Sequence, residues 1–182
     1  MKKRQPPRIT GRRQAARTRI FNIEEVDLEF SNGAHRTYER VLGSNRGAVL
    51  VAPLTSDREL LLVREYATGM QRYELTFVKG NVDPGEDMLQ AANRELQEEI
   101  AQAARVLRHL HSITTAPGYL RHTTHVVLAQ ELYPASRDGD EPEPLEQVRW
   151  PLERLDALLE EEEFTDARSV ATIYLLQRHL DI

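Results

Sequence analysis

The chain has 182 residues, 40% of them apolar, which suits one domain with a packed core and room for a small appended element. Its net charge of -5 is uneven, because residues 1–19 carry eight basic groups and no acidic one, so the remaining body is decidedly acidic. No apolar run is long enough to span a bilayer or serve as a secretory signal, and the lack of cysteine excludes disulfides, thiolate metal sites and cysteine nucleophiles.

Taken in order, residues 1–19 (Lys2, Lys3, Arg4, Arg8, Arg12, Arg13, Arg17 and Arg19) lack apolar periodicity and read as a solvated, flexible tail. No aromatic residue interleaves these charges, which argues against stacking on nucleic acid. Ile20 to Phe30 reads as a strand, Ser31-Asn32-Gly33 as a type I′ turn, and His35 to Leu42 as the returning strand. A hairpin alone is marginally stable, so residues 20–45 should pack on something. Further strands are expected at Gly47 to Leu54, Glu59 to Tyr66 and Tyr73 to Phe77. Gly80 to Gly85 is a loop, followed by a helix from about Glu86 to Ala103. Val106 to Thr114, Thr123 to Leu132 and Gln147 to Trp150 are strands, separated at Tyr133 to Leu145 by a long polar loop. Helices from Leu152 to Leu159 and from Asp166 to about Leu180 close the chain, with Pro151 at a first turn that tolerates it. The pattern predicts an α/β sandwich with a mixed β-sheet.

The informative segment is GNVDPGEDMLQAANRELQEEIAQ, Gly80 to Gln102. Glu95, Glu98 and Glu99 have the i, i+3, i+4 spacing that puts three carboxylates on one helix side. Ala92, Leu96, Leu89 and Ile100 form the buried face beside them. At neutral pH all three acids should be ionised and repel one another unless solvent or cations intervene. Hard oxygen ligands of this kind suit magnesium or manganese. A solvated helix face with Arg94 as counter-charge is the ordinary meaning of E-x-x-E-E; the Gly-Asp-Pro-Gly loop leading into the helix distinguishes this one.

The segment resembles the box of the Nudix hydrolases, G-x5-E-x7-R-E-U-x-E-E-x-G-U with U aliphatic. Gly80, Glu86, Arg94, Glu95, Leu96, Glu98 and Glu99 are in register. Ala101 and Gln102 depart from the last two positions. Alanine enters the left-handed region at a cost of order 1 kcal/mol, so the helix is expected to continue past it. The stretches VDLEFSNG, YELTFVKGNVDPGE, AANRELQEE, VVLAQELYP and GDEPEPLEQVRWPL extend the likeness over most of the chain, towards members that hydrolyse ADP compounds. Pro117, fifteen residues beyond the box, matches a proline of the ADP-ribose-hydrolysing members.

The resemblance implies a Nudix α/β/α sandwich over residues 46–182, preceded by a 20–45 hairpin that builds a homodimer interface. It implies a cytoplasmic, Mg2+-dependent (or Mn2+-dependent) pyrophosphatase for ADP-ribose, NADH and diadenosine polyphosphates. Glu95, Glu98, Glu99 and the Lys79 carbonyl are the implied metal ligands. Glu98 has a second role open to it, acting on the attacking water. Glu86 lies two turns from Arg94 on an uninterrupted helix and is assigned, with Arg94, to orienting the loop and carboxylates. The general base is expected in the long loop, at Glu141 or Glu143. Arg40, Arg64 and Tyr73 are candidate substrate contacts, against the competing roles of surface ion pairing and core packing. His111, His122 and His125 lack an accompanying carboxylate cluster and are left out of the site. Two alternatives stay open: a nucleotide-sugar pyrophosphatase of the same fold, and a non-catalytic nucleotide- or RNA-binding module, which the four retained glutamates disfavour.

Overall fold

The structure, a computed structural model, describes residues 5–181. Lys2, Lys3 and Arg4 of the basic segment lie outside the described residues. In chain order the elements are β1 (Arg8–Arg17), β2 (Asn22–Glu29), β3 (His35–Leu42), β4 (Ala48–Pro53), β5 (Glu59–Ala67), β6 (Arg72–Thr76), β7 (Val78–Asn81), α1 (Met88–Ile100), β8 (Gln102–Ile113), β9 (Leu120–Arg121), β10 (Thr124–Pro134), β11 (Glu146–Pro151), α2 (Leu155–Leu159) and α3 (Ala167–Leu180). They fall into two units. One takes the chain up to Asn45 together with Thr114–His122, and the other takes Arg46–Ile113 and the chain from Thr123 onward.

The first unit is a four-stranded sheet of order β1-β2-β3-β9, with β9 parallel to β3 through Val41 opposite Leu120. The expected flexible tail is therefore, from Arg8 to Arg17, a strand antiparallel to β2. Two of its arginines are held by carboxylates of β2: Arg8 pairs with Glu29, and Arg13 with Glu25 and with Asp27 at 2.8 Å. Cross-strand pairing of opposite charges stabilises a polar strand that apolar periodicity cannot reveal. The turn also differs from type I′, which needs positive φ at both central residues. Only Gly33 has it (φ +80°). Gly33 N–H donates to the Phe30 carbonyl at 2.9 Å, and Asn32 Oδ1 accepts from Ala34 N–H at 3.1 Å. The result is a type I turn closed by a left-handed glycine.

The second unit is a mixed α/β sandwich. Its larger sheet has the order β7-β4-β10-β8, with β10 parallel to β4 and antiparallel to β8, and its smaller sheet the order β11-β5-β6. Strand periodicity sorts the core in two. Leu50, Ala52 and Leu128 point to one side with Leu60, Leu62 and Phe77, where α2 and α3 contribute Leu158, Ile173 and Leu176. Val49, Val51, Val127 and Ala129 point to the other, under Ala91, Ala92, Leu96 and Ile100 of α1. So α1 is laid against β4, β7 and β8 by its apolar stripe, and its charged positions fall at the sheet edge beside β7.

The helix does not continue past the box. Ala101 is its C-cap, in the left-handed conformation (φ 53°, ψ 37°), and Gln102 already begins β8. Pairing of β8 with β10 begins at Gln102 opposite Pro134, and Ala103 and Ala104 are buried, so tertiary contacts outweigh the strain at this one residue. Replacing the exposed Ala101 by glycine should relieve it. Ala101→Gly is expected to stabilise the protein by about 0.5–1 kcal/mol, less than the full strain because glycine also frees the unfolded chain. Urea unfolding of the two proteins checks this.

Candidate active site

The helix start decides the geometry. Asp87 is the N-cap: its carboxylate accepts from Leu89 and Gln90 N–H at 2.8 and 2.9 Å, and Gln90 Oε1 accepts from Asp87 N–H at 2.8 Å. Glu86 is consequently a loop residue ahead of the helix, not a helical residue two turns from Arg94. Gly85, with φ +92°, lets the loop turn back, and Glu86 Oε1 accepts from Asp83 N–H at 2.7 Å.

From there Glu86 reaches Arg94, which joins the loop to the end of β7 and to two acids of α1. Arg94 Nη2 donates to Glu86 Oε1 and to the Asn81 carbonyl, both at 2.8 Å, and Nε to Glu86 Oε2 at 3.2 Å. Its Nη1 donates to Glu95 Oε1 and Glu98 Oε2, both at 2.7 Å. The hydrogen bonds from Arg94 hold the Glu86 carboxyl below its usual range.

The carboxylates are not the solvent-facing, fully ionised set that spacing alone suggests. Glu95 is buried against Gly80, where an added Cβ would collide with its carboxylate. Burial pushes Glu95 up to about 7, in spite of the two opposing effects of Arg94. Glu99 is pushed up to about 8 by burial. One of its oxygens accepts from Lys79 N–H at 3.3 Å, and the other is buried with no hydrogen-bond partner. The Lys79 ammonium pairs with Glu65.

The loop after β10 runs along α1. Ala135 N–H donates to the Ala101 carbonyl and Arg137 N–H to the Gln97 carbonyl, both at 3.2 Å, and Gly139 lies over Glu98. A cavity of about 480 Å³ opens between the loop and the box, lined by Lys79, Gly80, Glu95, Glu98, Asp140 and Glu141 among others. Glu141 is raised by burial and by Glu65 and Asp140. Glu143 instead accepts from Tyr73 OH at 2.7 Å. The loop thus brings Glu141, not Glu143, to this cavity.

Of the candidate substrate contacts, Arg64 donates to Glu163 at 2.9 Å and pairs with Glu146, which is ion pairing within the second unit. Arg40 belongs to the first unit and donates to Glu24 at 2.6 and 2.9 Å. Tyr73 is exposed, edge-on to Tyr66 with centroids 5.5 Å apart. His125 shares Ser112 with His109 at 2.8 and 2.9 Å. Sequence reasoning missed Arg137, Asp140 and Glu65, whose only signal was the acid-rich composition of a long loop and one acid on a strand.

Hard oxygen donors, a buried carboxylate oxygen with no partner and the Gly80 cradle fit a divalent cation. Among the described residues no three His, Asp or Glu side chains converge as a finished ligand set. The physical reason is that Arg94 and the Lys79 amide occupy oxygens a cation would use.

Residues 44–173 match the NUDIX domain family, and residues 7–40 the NudE-type Nudix hydrolase N-terminal domain. The chain is 49% identical to the ADP compounds hydrolase NudE of Escherichia coli, over 97% of this chain and 94% of that protein. It is 32% identical to the mouse ADP-sugar pyrophosphatase, over 94% and 87% of the respective chains, and 29% identical to an ADP-ribose pyrophosphatase of Bacillus subtilis, over 87% and 86%. A crystal structure of an ADP compounds hydrolase superposes with a TM-score of 0.93 at 48% identity, covering 100% of this chain and 97% of the other. No helix among the described residues is long and apolar enough to cross a membrane.

The raised carboxyls make stability pH-dependent. A glutamate whose folded value lies above its ordinary 4.5 keeps its proton longer in the folded state, so its contribution is complete below 4.5 and is lost as pH rises towards about 8 for Glu99. In EDTA the protein should lose stability between pH 5 and 8. Glu99→Gln should be more stable than wild type at pH 8 and converge with it near pH 5, as read by urea unfolding at each pH.

Proposed function

The chain belongs to the Nudix hydrolase family, and on that premise we propose that it is a divalent-metal-dependent pyrophosphatase for ADP-containing compounds such as ADP-ribose, NADH and diadenosine polyphosphates. The observation that carries the reading is the meeting of Glu95, Glu98 and Glu141 on one acidic cavity, with Glu99 behind them. The names of the three relatives given above, each an enzyme of ADP-linked compounds, support the substrate class. The mouse relative's name favours ADP sugars as a second group of substrates for the same chemistry.

Glu95, Glu98, Glu99 and the Lys79 carbonyl are the groups that would hold the cation, Mg2+ first and Mn2+ as a substitute. Bound there, it supplies positive charge against the pyrophosphate and acidity to water. Glu95 and Glu99 must shed protons to serve as ligands, so metal binding releases protons. Arg94 keeps Glu86, Glu95 and Glu98 in place through the cycle. Glu141 lies outside the ligand set, and its surroundings raise its proton affinity, which suits a base. It takes the proton of the attacking water as the new P–O bond forms. The bond to the bridging oxygen breaks, and AMP or its counterpart leaves with the electron pair. Tyr73 is the substrate contact we carry forward, because its ring is exposed while Arg40 and Arg64 are held by carboxylates.

A cysteine-free enzyme of this type fits the cytoplasm. In the first unit the exposed Ile9, Ile20, Phe21 and Tyr38 are apolar surface suited to a homodimer interface. Light scattering should give twice the mass of one chain; a single-chain mass over a wide concentration range would remove that part of the proposal.

The catalytic reading is tested by identifying the products of ADP-ribose, NADH, diadenosine compounds and nucleotide sugars with Mg2+. Cleavage should yield AMP from ADP-ribose. Glu141→Gln should lower turnover about a hundredfold or more with substrate affinity little changed, while Glu143→Gln retains most of it. Wild-type turnover in both variants and in the double variant would return the role of base to the box, with Glu98 first.

A further inference from the structure

The loop over the cavity is fastened to α1 by two kinds of contact. The Ala135 and Arg137 amides donate to carbonyls at the end of α1, which need donors whether or not the site is loaded. The Arg137 side chain is different. Its guanidinium lies 3.4 Å from Glu98 Oε1, while Glu98 Oε2 is taken by Arg94. Both oxygens of one proposed metal ligand are thus engaged by arginines. Arg94 is nearly buried and bound to four acceptor groups, so it is part of the frame. Arg137 is 59% exposed, forms an ion pair among the described residues with Glu98 alone and sits on a loop, so it is the one that can leave.

We propose that Arg137 is a positioning residue that competes with the divalent cation for Glu98, so that filling the metal site releases one anchor of the loop carrying Glu141. This rests on the reading of Glu98 as a metal ligand. A cation entering the box attracts Glu98 and repels the guanidinium. By linkage, whatever loosens the Arg137–Glu98 contact must strengthen metal binding by the same factor. The amide bonds to α1 remain, so the loop stays over the site while Asp138–Glu141 gain freedom to meet substrate. Metal occupancy and loop freedom then rise together, and the base is released for use only in a loaded site.

The direction of the effect separates this from a structural role, since damage to the site weakens metal binding and loss of a competitor tightens it. Mn2+ affinity is measured by electron paramagnetic resonance of the free ion, on the full chain without nucleotide. Arg137→Gln should bind Mn2+ about two- to fivefold more tightly than wild type, the scale of an exposed ion pair. Arg58→Gln, which removes the same charge from a pair with Glu153, should leave the affinity unchanged. Glu98→Gln should weaken binding, and adding Arg137→Gln to it should change nothing further. Unchanged or weaker affinity in Arg137→Gln, with Glu98→Gln still weakened, overturns the competition and leaves Glu98 as a ligand. Unchanged affinity in Glu98→Gln overturns both. Hydrogen exchange of residues 138–141 should also quicken on Mg2+ addition in the wild type; unaltered exchange contradicts release of the loop.

Discussion

The site is held by one guanidinium. Arg94 reaches a loop acid ahead of its helix, a backbone carbonyl at the end of β7, and two acids on its own helix. Without that charge, three acidic side chains, Glu86, Glu95 and Glu98, would be gathered at the edge of a protein interior with no shared counter-charge, where repulsion between ionised groups is poorly screened. The planar fork also has the right shape: its two Nη groups serve different sets of acceptors at once, which a lysine ammonium cannot reproduce. Loop, strand end and helix are thereby locked into one rigid element, and side chains on it are placed to the precision that metal and phosphate chemistry need.

Around that element the chain balances opposite demands. The apolar stripe of α1 pulls the helix into the core, and with it Glu95 and Glu99, whose burial favours their protonated forms. On the proposed reading, a cation held by these carboxyls would have to displace their protons. Gly80 and Glu95 belong to the same balance. The acid fits only because its neighbour on β7 has no side chain, so the two positions are expected to be strongly coupled in energy.

Much of this was legible in the sequence. The place of β3 follows from the turn ahead of it, the central strands from their apolar runs, and the box from its resemblance to the Nudix signature. What escaped has physical causes that act at a distance. β1 carries no apolar rhythm, because arginine–carboxylate pairs with β2 stabilise it. Ala101 turns left-handed because β8 must start at once. Glu86 stands ahead of the N-cap Asp87 and outside the helix, which begins at Met88, so helical geometry cannot show its reach to Arg94. Protonation of Glu95 and Glu99 depends on burial, which a helical wheel approximates poorly when an acid borders the apolar stripe. Loop acids resolve into Glu141 at the cavity and Glu143 on Tyr73 only once the chain is folded.

The N-terminal sheet is assembled from pieces far apart along the chain. Its strands β1 to β3 lie first, but the partner of β3 is β9, through Val41 and Leu120. Synthesis proceeds from the N-terminus. On the ribosome, β3 must therefore keep one edge open while β4 to β8 and α1 emerge, and an open edge invites pairing with another chain. The charged residues along it (Arg36, Glu39 and Arg40) keep that waiting edge soluble.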